Sequence, residues 1–212
     1  MKWPTIDEMS TQVPLPEGFR HERLSRSNIP ALIEGVKAWH PDIAVGAASC
    51  YLREDFYHDK VFLDGEAERD ICVILFRHDD ELIGMWSFER EAEALSLYGR
   101  LIIVSPAHRG SKVTQSAMMG TERLGLAMGA EFIYALATLK VPHAQRALEH
   151  AGYQLLGFAP GYDREVVAPG VVKRVYEAFY AKVLVPGGGL HRPDMNNLTP
   201  KARALFELLF PA

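Results

Sequence analysis

The sequence predicts an α/β (α+β) fold, in which helices flank one mixed, mostly antiparallel twisted sheet of about seven strands. Two observations predict it. A β-branched apolar run at 71–76, a polar turn and a second apolar run at 82–88 are typical of a hairpin, and a third strand is expected over 95–104. From residue 111 onwards, segments with helical spacing alternate with strand-like segments, which predicts helices packed on the same sheet.

The N-terminal third predicts an arm followed by two helices. Residues 1–18 contain several helix-breaking residues and are expected to form an extended arm, before a short strand at 18–24. Ser27 and Asn28 precede an amphipathic helix that has Pro30 in its first turn and ends at 40–41. A second helix is expected over about 47–59.

The C-terminal half predicts two helices between strands. A buried stripe is expected on a helix at 111–128, a strand at 131–139, and a helix that Pro142 opens and Gly152 ends. Strands at 153–159 and 172–184 follow, separated by a loop rich in Gly, Pro and Asp. We expect an arm (1–18), one domain (19–185), and a linker with a C-terminal helix (186–212), which docks on its own domain or on a second subunit of a homodimer.

Composition excludes several classes of protein. The 212 residues include 23 Lys and Arg against 27 Asp and Glu, a formal net charge of −4, and 48% hydrophobic residues, which favours a globular core over disorder. This balance argues against nucleic-acid binding. The apolar runs are too short to cross a membrane, and no secretory h-region precedes residue 19. With two unpaired cysteines and eight histidines outside metal-ligand spacing, we expect a cytoplasmic protein without a metal.

The segment that indicates chemistry joins the third strand to the helix at 111–128. An apolar strand ends at Val104, passes Pro106 and an Arg109–Gly110 turn, and enters the helix. Backbone amides at such a helix start, together with the helix dipole, favour binding of a pyrophosphate. Positive charge from Arg109 and Lys112 would add to this attraction, and the alternative is an ordinary strand–helix turn.

This segment resembles the phosphate-binding loop of the GNAT N-acetyltransferase superfamily, in which a strand leads into hydrophobic-x-P-x-x-R/Q-x-x-G-x-G/A. Setting the Arg/Gln position at Arg109 places Lys112 and Thr114 at the two small positions, whereas starting at Ala107 recovers Gly110 but loses the Arg/Gln. We prefer the Arg109 frame. The segments DDELIGMWSF at 79–88 and VPHAQRALEHAGYQLLGF at 141–158 are similar to the family's second hairpin and its later helix.

The resemblance implies an acyl-CoA N-acyltransferase-like fold, with acetyl-CoA as cosubstrate. The backbone of the strand end would bind the pantetheine arm where two strands splay apart, and the loop would bind the pyrophosphate. The implied cofactor-binding residues are Ile102, Ile103, Val104, Arg109, Gly110, Ser111, Lys112, Val113, Thr114 and Arg146. Two positions depart from the family: Val141 replaces a frequent Asn, and Leu148 replaces the Tyr that acts as general acid.

The acceptor implied is an amine on a small molecule or a peptide, and its attack on a thioester requires a base. The catalytic candidates are Glu89 (with Glu91 and Glu93 nearby), Tyr98, and His143 as a substitute acid. Exposed charge, core packing and helix surface are their respective alternative roles. An acidic stretch at 54–70 is either a solvated face or a rim that attracts a cationic amine.

Two functions from different classes follow. The leading hypothesis is acetyl transfer from acetyl-CoA to a primary amine by direct attack. The alternative is a non-catalytic CoA-binding regulatory or interaction module, which the missing Tyr and the substituted glycines favour.

Overall fold

A computed structural model describes residues 1–186 and 189–211 of the chain; Gly187 and Gly188 of the expected linker, and Ala212, lie outside the described residues. In the described residues, eight strands form one sheet in the order β1-β3-β4-β5-β6-β8-β7, with β2 paired to β3. The mixed, mostly antiparallel sheet with flanking helices confirms the predicted fold class. The helices are α1 Ile6–Gln12, α2 Ile29–Trp39, α3 Glu54–Lys60, α4 Val113–Met128, α5 His143–His150 and α6 Pro200–Leu209. The strands are β1 Phe19–Arg23, β2 Val61–Phe62, β3 Ile71–His78, β4 Glu81–Glu91, β5 Ser96–Val104, β6 Phe132–Thr138, β7 Gln154–Ala168 and β8 Val171–Val183.

The sheet is covered on both faces, and β3 shows why. Its even residues Cys72, Ile74 and Phe76 belong to one buried cluster, together with residues of α1 and α4. Its odd residues Ile71, Val73 and Leu75 belong to a second cluster, with residues of α2 and α3. A strand that alternates between two apolar layers needs apolar residues at every position. This accounts for the uninterrupted run at 71–76.

The sheet opens between β5 and β6. These parallel strands pair only from Ser96–Phe132 to Gly99–Ala135, although β5 continues to Val104 and β6 to Thr138. On its other side β5 stays paired with β4 through a bulge, because Phe88 pairs with Gly99 and Ser87 with Leu101. Beyond the bulge, the edge of β5 that faces β6 has no strand partner, which leaves a wedge in the sheet.

The expected extended arm is wrong for residues 6–12, which form α1. Thr5 and Glu8 make a reciprocal capping box at its start. Met9 and Val13 are buried against the sheet and α4. The proline residues bracket the helix instead of entering it, so a count of helix breakers gave the wrong conformation. The division of the chain at 18 and 185 stays a prediction.

Two further expectations change in detail. The single helix expected over 47–59 is a 3₁₀ segment, Ala47–Leu52, followed by α3. The loop expected between the last two strands is part of a long β7–β8 hairpin, because register shifts near Gly157, Pro160 and Ala168 accommodate its Gly and Pro residues within the ladder. By contrast, the predicted stripe of α4 is confirmed, since Val113, Ala117, Gly120, Leu124 and Met128 are all buried.

The C-terminal helix is present as expected. Thr199 caps α6 by accepting a hydrogen bond from the Ala202 amide. Its Leu205 and Leu208 are 52% and 76% exposed, so these side chains add little to the core. Docking of this helix on a second subunit stays a prediction.

His21 of β1 makes stability depend on pH. Its side chain is 4% exposed and its Nε2 has no hydrogen-bond partner, and burial lowers its pKa to about 4. Because the unfolded imidazole titrates near pH 6.5, this contribution to stability is complete above that pH and is lost as the pH falls towards 4. The unfolding free energy should therefore drop by about 3 kcal/mol over this range.

Urea denaturation between pH 7 and pH 4.5 measures the effect. The His21→Leu variant should be less sensitive to acid than the wild type, whereas replacing the exposed His191 by Leu should leave the pH dependence as it was. Parallel pH profiles for His21→Leu and the wild type would contradict the assignment.

Candidate active site

The loop after β5 presents backbone amides at the start of α4. A short 3₁₀ turn, Pro106–His108, follows β5, and Gly110 and Lys112 both have positive φ, at 89° and 67°. Lys112 is the N-cap of α4, and the first helical hydrogen bond runs from the Ser116 amide to its carbonyl. The backbone amides of residues 113–115 therefore have no acceptor within the helix. Unpaired amides at a helix start are a common binding site for anions.

A cavity of about 420 Å³ lies between this loop and α5. It brings together loop and helix residues from the predicted cofactor set: Gly110, Ser111, Lys112, Thr114 and Arg146, with His143 beside them. Its other lining residues are His108, Gln115, Met119, Ala147 and His150. None of the described lining residues is Asp or Glu, so cations dominate the cavity and it suits an anionic group.

Two predicted cofactor residues face elsewhere. The Arg109 guanidinium donates to the carbonyl of Trp39 at 3.1 Å, and thereby caps the last residue of α2. Val113 is fully buried in the core. Both contribute backbone to the loop, but their side chains do not line the cavity.

Ile102, Ile103 and Val104 form the end of β5 that borders the wedge. Their backbones pair with β4 on one side, and on the other side β6 has already separated. Unpaired strand edges expose N–H and C=O groups that bind an extended partner. The wedge therefore offers a strand-like binding edge that leads to the phosphate-type loop.

A hydrogen-bonded network lies on the α2–α3 face of the sheet. The Arg100 guanidinium, at the bulge, pairs with Glu89 and donates to the Tyr51 hydroxyl at 3.2 Å. Tyr51 in turn donates to Ser87 Oγ at 2.6 Å, and burial raises the pKa of Tyr51 to about 12. The Glu89 carboxylate is thus engaged by a cation, which leaves it poorly available as a base.

An aromatic wall stands beside this network. The rings of Tyr98 on β5 and Tyr134 on β6 are stacked with centroids 4.8 Å apart. The Tyr134 hydroxyl donates to Glu91 at 2.8 Å. Burial and the neighbouring Tyr162 raise the pKa of Tyr98, which keeps its hydroxyl protonated at neutral pH.

The β7–β8 hairpin closes the same side of the molecule. Asp163 accepts a hydrogen bond from the Ala47 amide at 2.8 Å, and Gly46 (φ 86°) leaves no room for a Cβ, which would lie 2.4 Å from the Arg164 carbonyl oxygen. A cavity of about 510 Å³ lies between the hairpin and residues 44–49. Tyr162 and Asp163 line it from the hairpin, and Ser49 lines it from the opposite side.

Residues 32–153, more than half of the chain, match the family model described as the acetyltransferase (GNAT) family. The chain belongs to the acetyltransferase (GNAT) family. This membership supports acyl transfer to amines as the reaction class. No curated protein sequence matches the chain significantly.

Solved structures of N-acetyltransferases share the fold. A spermidine N-acetyltransferase mutant from Vibrio cholerae is 12% identical with a TM-score of 0.62, and the match covers 79% of this chain and 94% of that one. RimL, the ribosomal L7/L12 α-N-protein acetyltransferase in complex with coenzyme A, is 12% identical with a TM-score of 0.61, covering 81% and 97%. A dodecameric form of the Vibrio cholerae enzyme gives 13% identity and a TM-score of 0.59, covering 79% and 94%.

The fold of this GNAT-family protein explains where its sequence departs from the motif. Leu148, at the usual Tyr position, is 3% exposed and packs in the core, so it leaves that position without an acid. His143 lies in the cationic cavity, away from the Tyr98–Tyr134 wall in the chain's described packing. Tyr98 borders the wedge, whereas Glu89 is tied to Arg100. The catalytic roles of these residues stay predictions.

Sequence reasoning did not find several residues of the two cavities. On α5, Ala147 lies one turn from His143, and His150 lies one turn from Arg146, so helical periodicity could have found them. Tyr162 and Asp163 come close to residues 46–49 only through the bend of the hairpin, for which the sequence carries no local signal. Four of the seven acidic residues in the stretch at 54–70 are ion-paired, through Arg53–Asp55, Arg26–Glu66, Arg90–Glu68 and Arg90–Asp70.

Among residues 1–186 and 189–211, no helix combines the length and apolar character needed to cross a membrane. Over the same residues, no group of three or more His, Cys, Asp or Glu is placed to hold a metal ion.

Because Gly46 lies against the hairpin, adding a side chain at this position should lower the free energy of unfolding strongly. The Gly46→Ala variant combines an unfavourable φ with a steric clash against backbone, so its unfolding free energy should fall by about 3 kcal/mol or more. Gly65→Ala is the matched control, because Gly65 has a similar φ of 76° but no atom within 4 Å of an added Cβ. It should cost about 1 kcal/mol.

Chemical denaturation of the two variants separates the clash from the backbone strain. Equal losses of stability would show that the hairpin does not press on Gly46.

Proposed function

We propose that the chain transfers an acetyl group from acetyl-CoA to a primary amine by direct attack of the amine on the thioester. The observation that supports this most is that the unpaired edge of β5 leads, through residues 105–112, directly into the loop that lines the cationic cavity. An acyl-CoA has an anionic pyrophosphate, which matches the cationic loop. It also has a peptide-like pantetheine arm, which matches the unpaired strand edge.

The residues around the loop fit the phosphates. The amides of residues 113–115 and the ammonium of Lys112 would bind the pyrophosphate, and Arg146 would contact it from α5. Gly110 and Ser111 line the cavity beside it. The Lys112 backbone adopts the left-handed conformation in which the family motif has a small residue, so the loop keeps its shape without that glycine.

The pantetheine arm would pair with the backbone of Ile102–Val104 as an added strand does. A strand amide close to the thioester carbonyl would stabilise the oxyanion of the tetrahedral intermediate. Holding donor and acceptor in one wedge supplies the rest of the acceleration through positioning.

The state of the two cysteine thiols favours direct attack of the amine on the thioester over a mechanism with an acetylated cysteine. Burial raises the pKa of Cys72 to about 12, and its Sγ accepts a hydrogen bond from the buried Arg23. Burial also raises the pKa of Cys50. Both thiols therefore stay protonated at neutral pH, and neither is a ready nucleophile.

The acceptor would approach through the cavity between the hairpin and residues 44–49, opposite the cofactor loop. The coenzyme A thiolate that leaves requires a proton, and the Tyr98 hydroxyl at the border of the wedge can relay one to it while it takes a proton from the attacking nitrogen. The relay is needed because burial raises the pKa of Tyr98 and makes it a weak acid by itself. This assignment replaces the missing Tyr of α5, since Leu148 cannot act as an acid.

Release of the coenzyme A thiol tests the proposed function. The protein should bind acetyl-CoA in calorimetry and release free thiol with at least one amine from a panel of spermidine, benzylamine and a short peptide with a free α-amino group. Binding without thiol release across the panel would favour a non-catalytic CoA-binding module, for which the buried Leu148 is the supporting observation. No binding would contradict both functions.

The cavity predicts which arginine matters for the cofactor. Reversing the charge in Arg146→Glu should raise the dissociation constant of acetyl-CoA about tenfold or more, because a carboxylate would then face the phosphates. Arg53→Glu is the control, since Arg53 is an exposed residue of the opposite face that pairs with Asp55. Calorimetry should give equal affinities for this control and the wild type; an unchanged affinity in Arg146→Glu would refute the phosphate site.

Removing the Tyr98 hydroxyl tests its role as the acid. Tyr98→Phe should lower kcat about 100-fold and leave the affinity for acetyl-CoA unchanged, because the ring still stacks on Tyr134. Tyr134→Phe removes a hydroxyl that Glu91 already engages, and its kcat should stay within about threefold of the wild type. Similar kcat values for the two variants would rule out a specific role of Tyr98.

A further inference from the structure

Glu177 of β8 has little exposed surface, and the fold supplies no partner for its carboxylate, whose oxygens are not fully enclosed. The residue is 6% exposed, and its carboxylate makes no hydrogen bond or ion pair with any residue that the structure describes. Buried charges are normally paired, because desolvation of an isolated carboxylate is costly. The other buried charged residue, Arg23, follows this rule by donating to Cys72 and to the Pro4 carbonyl.

The sheet register places Glu177 one strand away from the wedge, because β6 lies between β8 and the opening. It pairs with Thr138 of β6, three residues beyond Ala135, where β5 and β6 part. The β6–β8 ladder has no bulge, so Glu177 shares a face with Thr138, and with Tyr134 by the alternation along β6. That face carries the Tyr98–Tyr134 stack and lies opposite α4 and α5.

We propose that Glu177 is the general base that accepts the proton of the acceptor ammonium before the amine attacks. Three observations support this assignment: the carboxylate has no partner, the wedge lies one strand away, and the aromatic wall stands on the same face of the sheet. An ammonium group is the partner whose charge and donors satisfy a buried carboxylate. Because the role presupposes the proposed acyl transfer, it specifies the acceptor as an amine that arrives protonated.

The groups around Glu177 are consistent with this role. On β7, Glu165 accepts a hydrogen bond from Thr138 at 2.7 Å, and Asp163 accepts from backbone amides. The charged groups that act on Glu177 are the carboxylates Glu165 and Asp163. On the flanking strands, Lys140 after β6 pairs with Asp42, Arg100 on β5 pairs with Glu89, and Lys173 of β8 lies opposite Glu165. Burial, with added repulsion from Glu165 and Asp163, raises the pKa of Glu177 to about 7, which suits a base working near neutral pH.

The reaction balances in atoms and charge. The ammonium gives one proton to the Glu177 carboxylate, and the nitrogen lone pair then forms the C–N bond with the thioester carbonyl carbon. Collapse of the tetrahedral intermediate breaks the C–S bond and expels the thiolate. The thiolate takes a proton from the acid Tyr98, which recovers it from the amide nitrogen, directly or through water. Glu177 finally releases its proton to solvent, so the net products are the amide, free coenzyme A thiol and one proton.

The pH dependence of kcat/KM, measured with the amine of the panel that the wild type acetylates, tests the base. The wild type should show an acidic limb near pH 7, and Glu177→Gln should lower kcat/KM about 100-fold at pH 8 and lose that limb. Its affinity for acetyl-CoA should not change. Its thermal midpoint at pH 8 should rise, because the glutamine removes an unpaired buried charge.

Glu165→Gln is the matched control on the neighbouring strand. It removes a negative charge that raises the pKa of Glu177, so the acidic limb should shift to lower pH while the rate on the plateau stays within about threefold. This variant tests the assignment without altering Glu177, which keeps it testable even if Glu177→Gln does not fold.

The outcomes separate the two proposals. If the wild type releases thiol but Glu177→Gln keeps the same plateau and the same limb, the base is elsewhere and only this inference falls. An unshifted limb in Glu165→Gln would overturn it as well. If the wild type releases no thiol with any amine, the proposed function falls and the base with it.

Discussion

The parting of β5 from β6 is the constraint on which the rest of the structure depends. Two parallel strands that pair over only a few residues and then diverge leave backbone donors and acceptors without partners. Inside a sheet covered on both faces, such an edge is unfavourable unless a ligand pairs with it. The bulge at Arg100 keeps β5 on β4 as it leaves β6, and the long ladder with β8 holds β6 in place.

The two ends of the wedge differ in charge: cations line the loop end, and an unpaired carboxylate lies near the other end. At the loop end, Lys112 and Arg146 line a cavity without acidic lining residues in the described chain. On the other side, the cations Arg100 and Lys140 are neutralised in ion pairs, and Glu177 has no partner among the described residues. The cavity between the hairpin and residues 44–49 is mixed in charge, because Asp163 lines it together with Arg164 and Arg174. Under the proposed function, the anionic donor would bind at the loop end, and the acceptor amine would meet the Glu177 carboxylate on the other side of the same strand edge. The mild net charge of the whole chain hides this separation.

The sequence predicted the fold class and the passage from β5 through the loop into α4 well because their signals are local. The apolar runs at 71–76 and 82–88, the stripe of α4 and the strand–turn–helix passage at 101–114 each lie within one short segment. The surroundings of Glu89 and Tyr98 could not be predicted from local signals, because their neighbours come from β4, β5, β8 and the bent hairpin. Glu89 looked available as a base until the structure paired it with Arg100, and Glu177 was not considered since nothing in its neighbourhood along the chain marks it.

The sequence by itself therefore determined the order of the elements from β3 onwards, the family resemblance and the cationic, strand–turn–helix character of the loop. These depend on periodicity, turn chemistry and helix starts, which act over a few residues. Only the tertiary structure decided that α1 packs on α4, that Arg109 caps α2 while Arg146 faces the loop, and that one carboxylate is left unpaired one strand away from the wedge. Those outcomes depend on strand register and on burial, which bring distant residues together and change the free energy of their charges.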